Sequence, residues 1–380
     1  MNLHAASAEE LARSLRDASQ SATRIGSVDL SSLSHIFEHT PEDMTVTVEA
    51  GATLAALQQA LAARGQWLPI DPPHPEHLTL AALLDVNANG PRRAGFGTIR
   101  DYLIGLRVAL ADGRLIRSGG KVVKNVAGYD LMKLFIGARG TLGVVVEVTF
   151  KLLPLPESEA FIQARCDTLE GAERLIAAVL DSELTPSVFD LHNLGAPLVE
   201  ASQTVHVADE LPTIPPLPLR GGEGRGEGET QVGRIASTLQ LFNSSTLTLV
   251  LGFSGARAAV DWQLALARSL GFTEPATLDY EARFHVPDLP PPHLRSVLPS
   301  RLVETLGGLG DVPFASRVAN GIIHHRGAPR SERRDPARRE TARQQRAEME
   351  LGAPSDLPRK LMERVKATFD PTGVFPVLPW

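Results

Sequence analysis

Six glycines, Gly119, Gly120, Gly128, Gly137, Gly140 and Gly143, fall within residues 119–156, where chemistry would be done by backbone rather than by side chains. A turn such as Arg139-Gly140-Thr141-Leu142-Gly143 carries little bulk. Its N–H and C=O groups can therefore come within contact distance of a ligand, and clustered N–H groups are what hold phosphate oxygens. The block reads as a nucleotide cradle. Its order is also local: Asp130 can cap a short helix with Leu131, Leu134 and Phe135 on one face, and Gly137 stands where a left-handed C-terminal residue is wanted. From Val144 the period becomes two, with Val144, Val146, Val148, Phe150 and Leu152 on one face and Glu147, Thr149 and Lys151 on the other. That predicts a half-buried strand ended by Pro154 and Pro156.

Among side chains, histidine suits the removal of a hydroxyl proton near neutral pH, and His324-His325, after a strand expected over 317–323, is the most suggestive pair. Neighbours on a strand point to opposite faces, so at most one can enter a cleft and the pair makes a poor metal site. No companion acid or third ligand stands at readable spacing, which favours a structural role. Arg295 can receive a carboxylate on two prongs or form an ordinary surface ion pair. Cys166 is the sole cysteine, so this chain alone builds no disulfide, zinc site or iron–sulfur cluster.

With 380 residues, 43% hydrophobic and 22% charged, the chain suits two or three globular domains. A formal net charge of −6, three Tyr and three Trp argue against a nucleic-acid partner, which calls for a basic face with aromatic platforms. Residues 1–20 lack the apolar core of a signal peptide, and no run approaches the ~20 apolar residues of a membrane span. A cytoplasmic location is expected, or a membrane-peripheral one through a partner.

The elements that must position these groups can be read in order. Residues 44–49 alternate as a strand, Thr53 caps a helix with Leu54, Leu57 and Leu61 on one face, Gly65 stops it, and 67–70 return as a strand. A small-residue helix over 78–84 follows, then a loop over 87–98 and a hairpin turning at Ala111-Asp112-Gly113. After Pro156 come a strand over 159–166, a helix over 169–180, strands over 187–192 and 246–253 and a helix over 256–270, the order of an antiparallel, ferredoxin-like α/β domain. Residues 212–229, rich in Pro, Gly and charge, predict a disordered surface insertion, and the arginine-rich 331–350 a solvated helix before a terminal helix over 357–369.

Lys124-Asn125-Val126-Ala127-Gly128-Tyr129-Asp130, Leu134-Phe135-Ile136-Gly137 and Gly140-Thr141-Leu142-Gly143 resemble the flavin domain of FAD-linked oxidases of the vanillyl-alcohol oxidase type, and within them the FAD-binding subunit family of bacterial glycolate oxidase. A second block, Gly90-Pro91-Arg92-Arg93 with Gly97, Arg100-Asp101-Tyr102 and Gly105, resembles that family too. The resemblance is good over residues 42–156 and looser beyond. It implies an α+β fold with a two-part FAD-binding domain over 1–156, split near 75, a cap domain over 157–330 and a charged helical tail with a closing turn over 331–380. It implies FAD as cofactor, oxidation of a small 2-hydroxy acid, and two partners, a second flavin subunit and an iron–sulfur subunit. FAD contacts carried over are Gly90, Pro91, Arg92, Gly97, Asp101, Gly140, Gly143, Val144 and Val145, with Arg92 or Arg93 neutralising the diphosphate. The alternative for these residues is ordinary turn glycines and exposed arginines.

Two departures bear on that expectation. The family's first phosphate loop is an Arg-Gly-Gly-Gly run, whereas Ser21-Ala22-Thr23-Arg24-Ile25-Gly26-Ser27-Val28 keeps one glycine. Ala81-Ala82 stand where the family has Gly-Gly, adding Cβ bulk where the cofactor approaches and penalising any positive φ by about 1–2 kcal/mol. The closing turn Asp370-Pro371-Thr372-Gly373 is kept, while the asparagine and glycine that follow it in the family are not. A second reading is therefore a structural subunit with weakened or lost FAD binding.

Overall fold

The computed structural model describes residues 1–120, 130–195, 246–286, 289, 291–326 and 356–376. The motif residues 124–129, the 212–229 insertion and the 331–350 stretch lie outside the described residues.

Two apolar cores organise the chain. In the first, β1 (Asn2–His4) and β2 (Ser27–Asp29) pair in parallel across α1 (Ala8–Gln20). Ser7 caps α1 by accepting from the Glu10 N–H at 3.1 Å, and Leu11 and Leu15 go fully inside. Beside this unit lies an antiparallel sheet in the order β3 (Ile36–Thr40), β4 (Thr45–Glu49), β8 (Val144–Lys151), β6 (Leu103–Ala109) and β7 (Leu115–Gly119). Strand β8 arrives late in the chain yet sits centrally between β4 and β6. Its Val146, Val148 and Phe150 fill one face as the alternation predicts. The opposite face is closed as well, where Thr149 and Thr47 share a buried hydroxyl bond at 3.0 Å. Thr53 and Thr79 cap α2 (Leu54–Ala62) and α3 (Leu80–Asp85), accepting from Ala56 and Ala82 N–H groups at 3.2 Å each.

The second core lies under a seven-stranded antiparallel sheet ordered β13 (Glu274–Pro275), β10 (Ser158–Cys166), β12 (Leu247–Gly255), β11 (Val188–His192), β15 (Phe314–Arg317), β16 (Ile322–His325), β14 (His293–Ser296). The first four strands have the ferredoxin-like order, and the last three extend it. Helices Leu169–Leu180, Arg257–Ser269 and Leu302–Leu309 cover one face through Ile176, Val260 and Leu306. The other face carries Asp190, His192 and Arg317 under the short helix Asp279–Phe284. The terminal helix Asp356–Phe369 returns to the first core, with Phe369 edge-on to Phe135 at 5.6 Å and Lys366 Nζ donating to Thr141 O at 2.7 Å. In the closing turn Asp370 accepts from Val374 and Phe375 N–H groups, both at 3.0 Å.

Several expectations need correction. The helix after Asp130 is a single 3-10 turn, Leu131–Leu134; Asp130 makes no side-chain cap, and Met132 and Phe135 are buried while Leu131 and Leu134 are exposed. A tighter turn rotates side chains off the 3.6-residue face. The strand expected over 67–70 shrinks to Gln66–Trp67. The strand expected over 317–323 is two strands, because the chain reverses through Val318–Asn320 and left-handed Gly321 (φ 64°). A Cβ at Gly321 would lie 1.9 Å from Val297 O, so no other residue fits there.

Candidate functional site

A cavity of about 550 Å³ opens in the first core between the loop after α1, the start of α3 and the glycine turn before β8. It suits a drug-sized cofactor fragment. Gly140, Gly143, Val144 and Val145 line it together with Ala81, Ala82, Thr53 and Thr79. The loop 25–31 supplies the opposite side, and Phe375 and Pro376 of the closing turn supply an edge. The glycine turn is stapled to the end of α3, for Gly137 N–H donates to Leu84 O at 2.8 Å and Arg139 N–H to Asp85 O at 2.9 Å. Arg139 and Gly140 are both left-handed, with φ of 51° and 67°. Gly143 is there for packing: an added Cβ would fall 2.6 Å from Val108 Cγ1 on β6.

Charge in this cavity runs against the usual arrangement for a diphosphate. Arg139 is its one cation among the described lining residues, against Asp29 and Asp85. The Ser31 N–H and the His4 ring hold the exposed Asp29 carboxyl down to about 2. Burial pushes Asp85 up to about 6, and a bond from the Gly140 N–H only partly counters it. Motif reading missed Asp29, Thr53 and Asp85, which look like an ordinary strand end, a helix cap and a helix end. Ala81 and Ala82 line the cavity as expected of their position, but they lie inside α3, so the positive-φ argument does not apply to them.

Gly90, Pro91, Arg92, Gly97 and Asp101 stand elsewhere, toward the second core. Gly90 packs on Asp71, whose carbonyl would lie 1.9 Å from an added Cβ. Arg92 donates through Nη1 to Asp71 Oδ2 at 3.0 Å and through Nε to Glu159 Oε1 at 2.9 Å, lying 5.6 Å from the ring centroids of Trp67 and Phe161. Its charge is spent within the protein. Gly97 (φ 81°) ends a short helix, and Asp101 accepts from Thr98 N–H at 2.8 Å in a capping box. Gly95 N–H donates to Ser187 O at 3.0 Å, a second stitch between the two cores.

Behind Arg92 lies a buried charge network. Arg317 donates through Nη1 to Asp190 Oδ2 at 2.5 Å and through Nη2 to Glu281 Oε1, and the Tyr280 hydroxyl donates to Asp190 at 2.6 Å. Burial pushes Asp71 up to about 7 and Asp190 up to about 6 against the pull of the arginines. Burial opposes the Arg317 charge too, yet Asp190 and Glu281 together hold it firmly protonated. His324 and His325 point to opposite faces as expected. His324 meets His285 edge-on at 5.4 Å and is pushed down to about 3 by burial, whereas buried His325 stacks on His293 at 5.2 Å. His74 joins in, its Nε2 2.7 Å from His285 O. Arg295 lies on outer strand β14 opposite Ile323.

An FAD binding domain family matches residues 12–119. Glycolate oxidase subunit GlcD of Bacillus subtilis (strain 168) is 35% identical over 158 residues, which is 42% of this chain and 34% of that one. Glycolate oxidase subunit GlcE of Escherichia coli (strain K12) is 36% identical over 141 residues, 37% of this chain and 40% of that one. The aligned part thus spans about a third to two fifths of these relatives. D-lactate dehydrogenase of Archaeoglobus fulgidus is 37% identical over 132 residues, 34% of this chain and 29% of that one. In structure, alkyldihydroxyacetonephosphate synthase superposes over 98% of this chain and 76% of its own with a TM-score of 0.63 at 14% identity, a likeness of fold.

Fold and matches define the class: the chain carries an FAD-binding domain of the vanillyl-alcohol oxidase type, and FAD is its cofactor. The cavity fits part of that group in volume, in its mainly apolar lining and in its glycine turn, though not in charge; residues 25–31, Thr53, Ala81, Ala82, Gly140, Gly143, Val144 and Val145 would hold it. Within that class the matching part of the chain is similar to glycolate oxidase subunits, at 35–36% identity. Among the described residues, no helix is long and apolar enough to cross a membrane.

Proposed function

We propose that this chain is the FAD-binding subunit of a glycolate oxidase-like complex that oxidises small 2-hydroxy acids to 2-oxo acids and passes the electrons to partner subunits, one of them carrying an iron–sulfur cluster. The observation that carries the reading is the stapled turn Gly137 to Val145, which walls a cavity sized for part of the cofactor in the part of the chain that matches glycolate oxidase subunits. Bound FAD supplies a two-electron acceptor. The rest falls to the chain's own groups, which exclude water and orient the cofactor through backbone and hydroxyl donors. Arg92 acts in this reading by holding the cap against the flavin domain rather than by touching the diphosphate, and Gly90, Gly97 and Asp101 by shaping the turns around it.

A second reading, a structural subunit with weakened FAD binding, draws on two observations. Asp29 and Asp85 face the cavity with Arg139 as their one opposing cation among the described lining residues. The arginines best placed to receive a substrate carboxylate, Arg92 and Arg317, are each taken by two carboxylates of the same chain. The deciding experiment purifies the chain alone and with its partners and records flavin absorbance, then adds glycolate or lactate without oxygen. Bleaching of a stoichiometric flavin in the isolated chain supports the catalytic reading; a colourless chain that still assembles with its partners overturns it.

A further inference from the structure

The face of the cap sheet that lies under the helix Asp279–Phe284 holds a second cavity, of about 520 Å³, that shares no lining residue with the flavin cavity. It lies at the far end of β10. Glu159 at one end of that strand clamps Arg92, while Arg165 at the other end lines this cavity, about 20 Å away at the usual rise per residue.

Three donors face this space. Arg283 spends Nη1 on Gly195 O at 2.8 Å, but its buried Nε has no hydrogen-bond partner among the described residues; Asp279 Oδ2, 3.4 Å away, is in ion-pair range only. His192, 4% exposed, accepts at Nδ1 from the Leu194 N–H at 3.2 Å, so its own proton sits on Nε2, where no described residue accepts it. Burial keeps that ring neutral, its pKa pushed down to about 3. The Thr248 hydroxyl lines the same space. A buried unpaired donor beside two further donors that line the space calls for an acceptor-rich guest. Leu194, Pro275, Ala276 and the Tyr280 ring, itself stacked on His192 at 4.5 Å, give the rest of the wall an apolar character.

From this lining we infer that the cap carries a second ligand site, separate from the flavin cavity, for an organic carboxylate with an apolar body: the carboxylate on Arg283, His192 and Thr248, the body against Tyr280 and Pro275. An oxyanion without such a body, inorganic phosphate for example, satisfies the donors but leaves the apolar wall wet. Glycolate fills too little of the volume. The site binds and does no chemistry of its own.

The test is calorimetric titration of the full chain with benzoate, glycolate and inorganic phosphate. Benzoate is expected to bind saturably and at least tenfold more tightly than the other two. Arg283→Gln should weaken it at least tenfold, and Thr248→Val, a near-isosteric change on a strand, several-fold, with flavin content unchanged in both. Should Arg283→Gln fail to fold, Thr248→Val alone decides. No saturable benzoate binding, phosphate or glycolate binding as tightly as benzoate, or a folded variant that binds like the parent would each overturn the site.

Discussion

Arg92 and Glu159 meet as fork against fork across the domain boundary, Nε to Oε1 at 2.9 Å and Nη2 to Oε2 at 2.5 Å, while the same guanidinium holds Asp71 behind it. One arginine thereby fixes the cap's first strand to the flavin domain, with Ser254 Oγ donating to Glu159 at 2.8 Å to orient the acceptor. Two-pronged pairing of this kind carries geometry as well as attraction.

Removing the fork should therefore cost more than an exposed ion pair. Arg92→Met leaves Asp71 and Glu159 facing each other without a cation, and both pair partners are mostly buried, at 16% and 24% side-chain exposure. Loss of a buried partner costs about 3–5 kcal/mol. Urea unfolding should show that drop, and protease should cut more readily between the domains. Arg92→Lys should recover only part of it, since an ammonium cannot fill two forks. A midpoint unchanged in Arg92→Met would remove the clamp from the account.

Stability should also fall with rising pH. Asp71 and Asp190 have folded values of about 7 and about 6, raised by burial from 3.8. Between pH 4 and these values the unfolded chain has released protons that the folded one keeps, so stability is full below pH 4 for these two groups and is lost as pH rises through 6 to 7. The slope for each is at most about 1.4 kcal/mol per pH unit. Asp71→Asn should flatten the part of the curve near pH 7; thermal melts from pH 5 to 8 measure it.

What sequence could reveal here followed the range of the interactions. Thr53 capping α2 and the helix Leu169–Leu180 were legible because a cap reaches three residues and an apolar stripe repeats within four. The ferredoxin-like order of the first four cap strands followed from element order alone. The role of Arg92 was not legible: Glu159 is 67 residues away, and a Gly-Pro-Arg-Arg string looks the same whether its arginine meets a phosphate or a carboxylate. Asp85 was missed for the same reason, since only folding places the end of α3 against the turn at Gly140. Gly321 breaks what reads as one strand because Val297 crowds it from a distant segment.

Asp85 should make FAD binding depend on pH. Its carboxyl, at about 6, is ionised above that pH and then opposes an anionic diphosphate; below it the group is neutral. Affinity should therefore rise as pH falls through 6. Asp85→Asn should bind FAD more tightly at pH 7.5, by about tenfold or 1.4 kcal/mol, with a flat profile. Fluorescence quenching of added FAD reads this directly, and an equally steep profile in the variant would point to another group.

The two turn glycines should respond differently to alanine. At Gly140 an added Cβ meets only Asp85 Oδ2 at 3.6 Å, so Gly140→Ala pays for its positive φ alone, about 1–2 kcal/mol. Gly143→Ala drives a methyl to 2.6 Å from Val108 and 3.1 Å from Ala109 O, separating β8 from β6. Loss of folding should thus be greater at Gly143, and the larger Gly143→Val should not yield a folded chain. Equal melting temperatures for the two alanine variants would contradict the packing.

The alanines at the start of α3 decide between the two readings of function. Ala81 and Ala82 face the flavin cavity, and their N–H groups are already bonded, to Ala50 O at 2.7 Å and to Thr79 Oγ1 at 3.2 Å. Glycine in their place exposes no new donor; it removes two methyl groups from the wall and costs about 0.5–1 kcal/mol per helical position. The double variant should therefore melt lower than the parent when both are free of cofactor. If methyl bulk limits FAD access, the same variant binds FAD about tenfold more tightly and its melting temperature recovers as FAD is added, since a ligand of the folded state stabilises in proportion to the logarithm of its concentration over Kd. That outcome favours a structural subunit whose cavity has narrowed. A parent chain that purifies yellow, together with a variant that binds no better, would instead show that the alanines leave room enough, and the catalytic reading would stand.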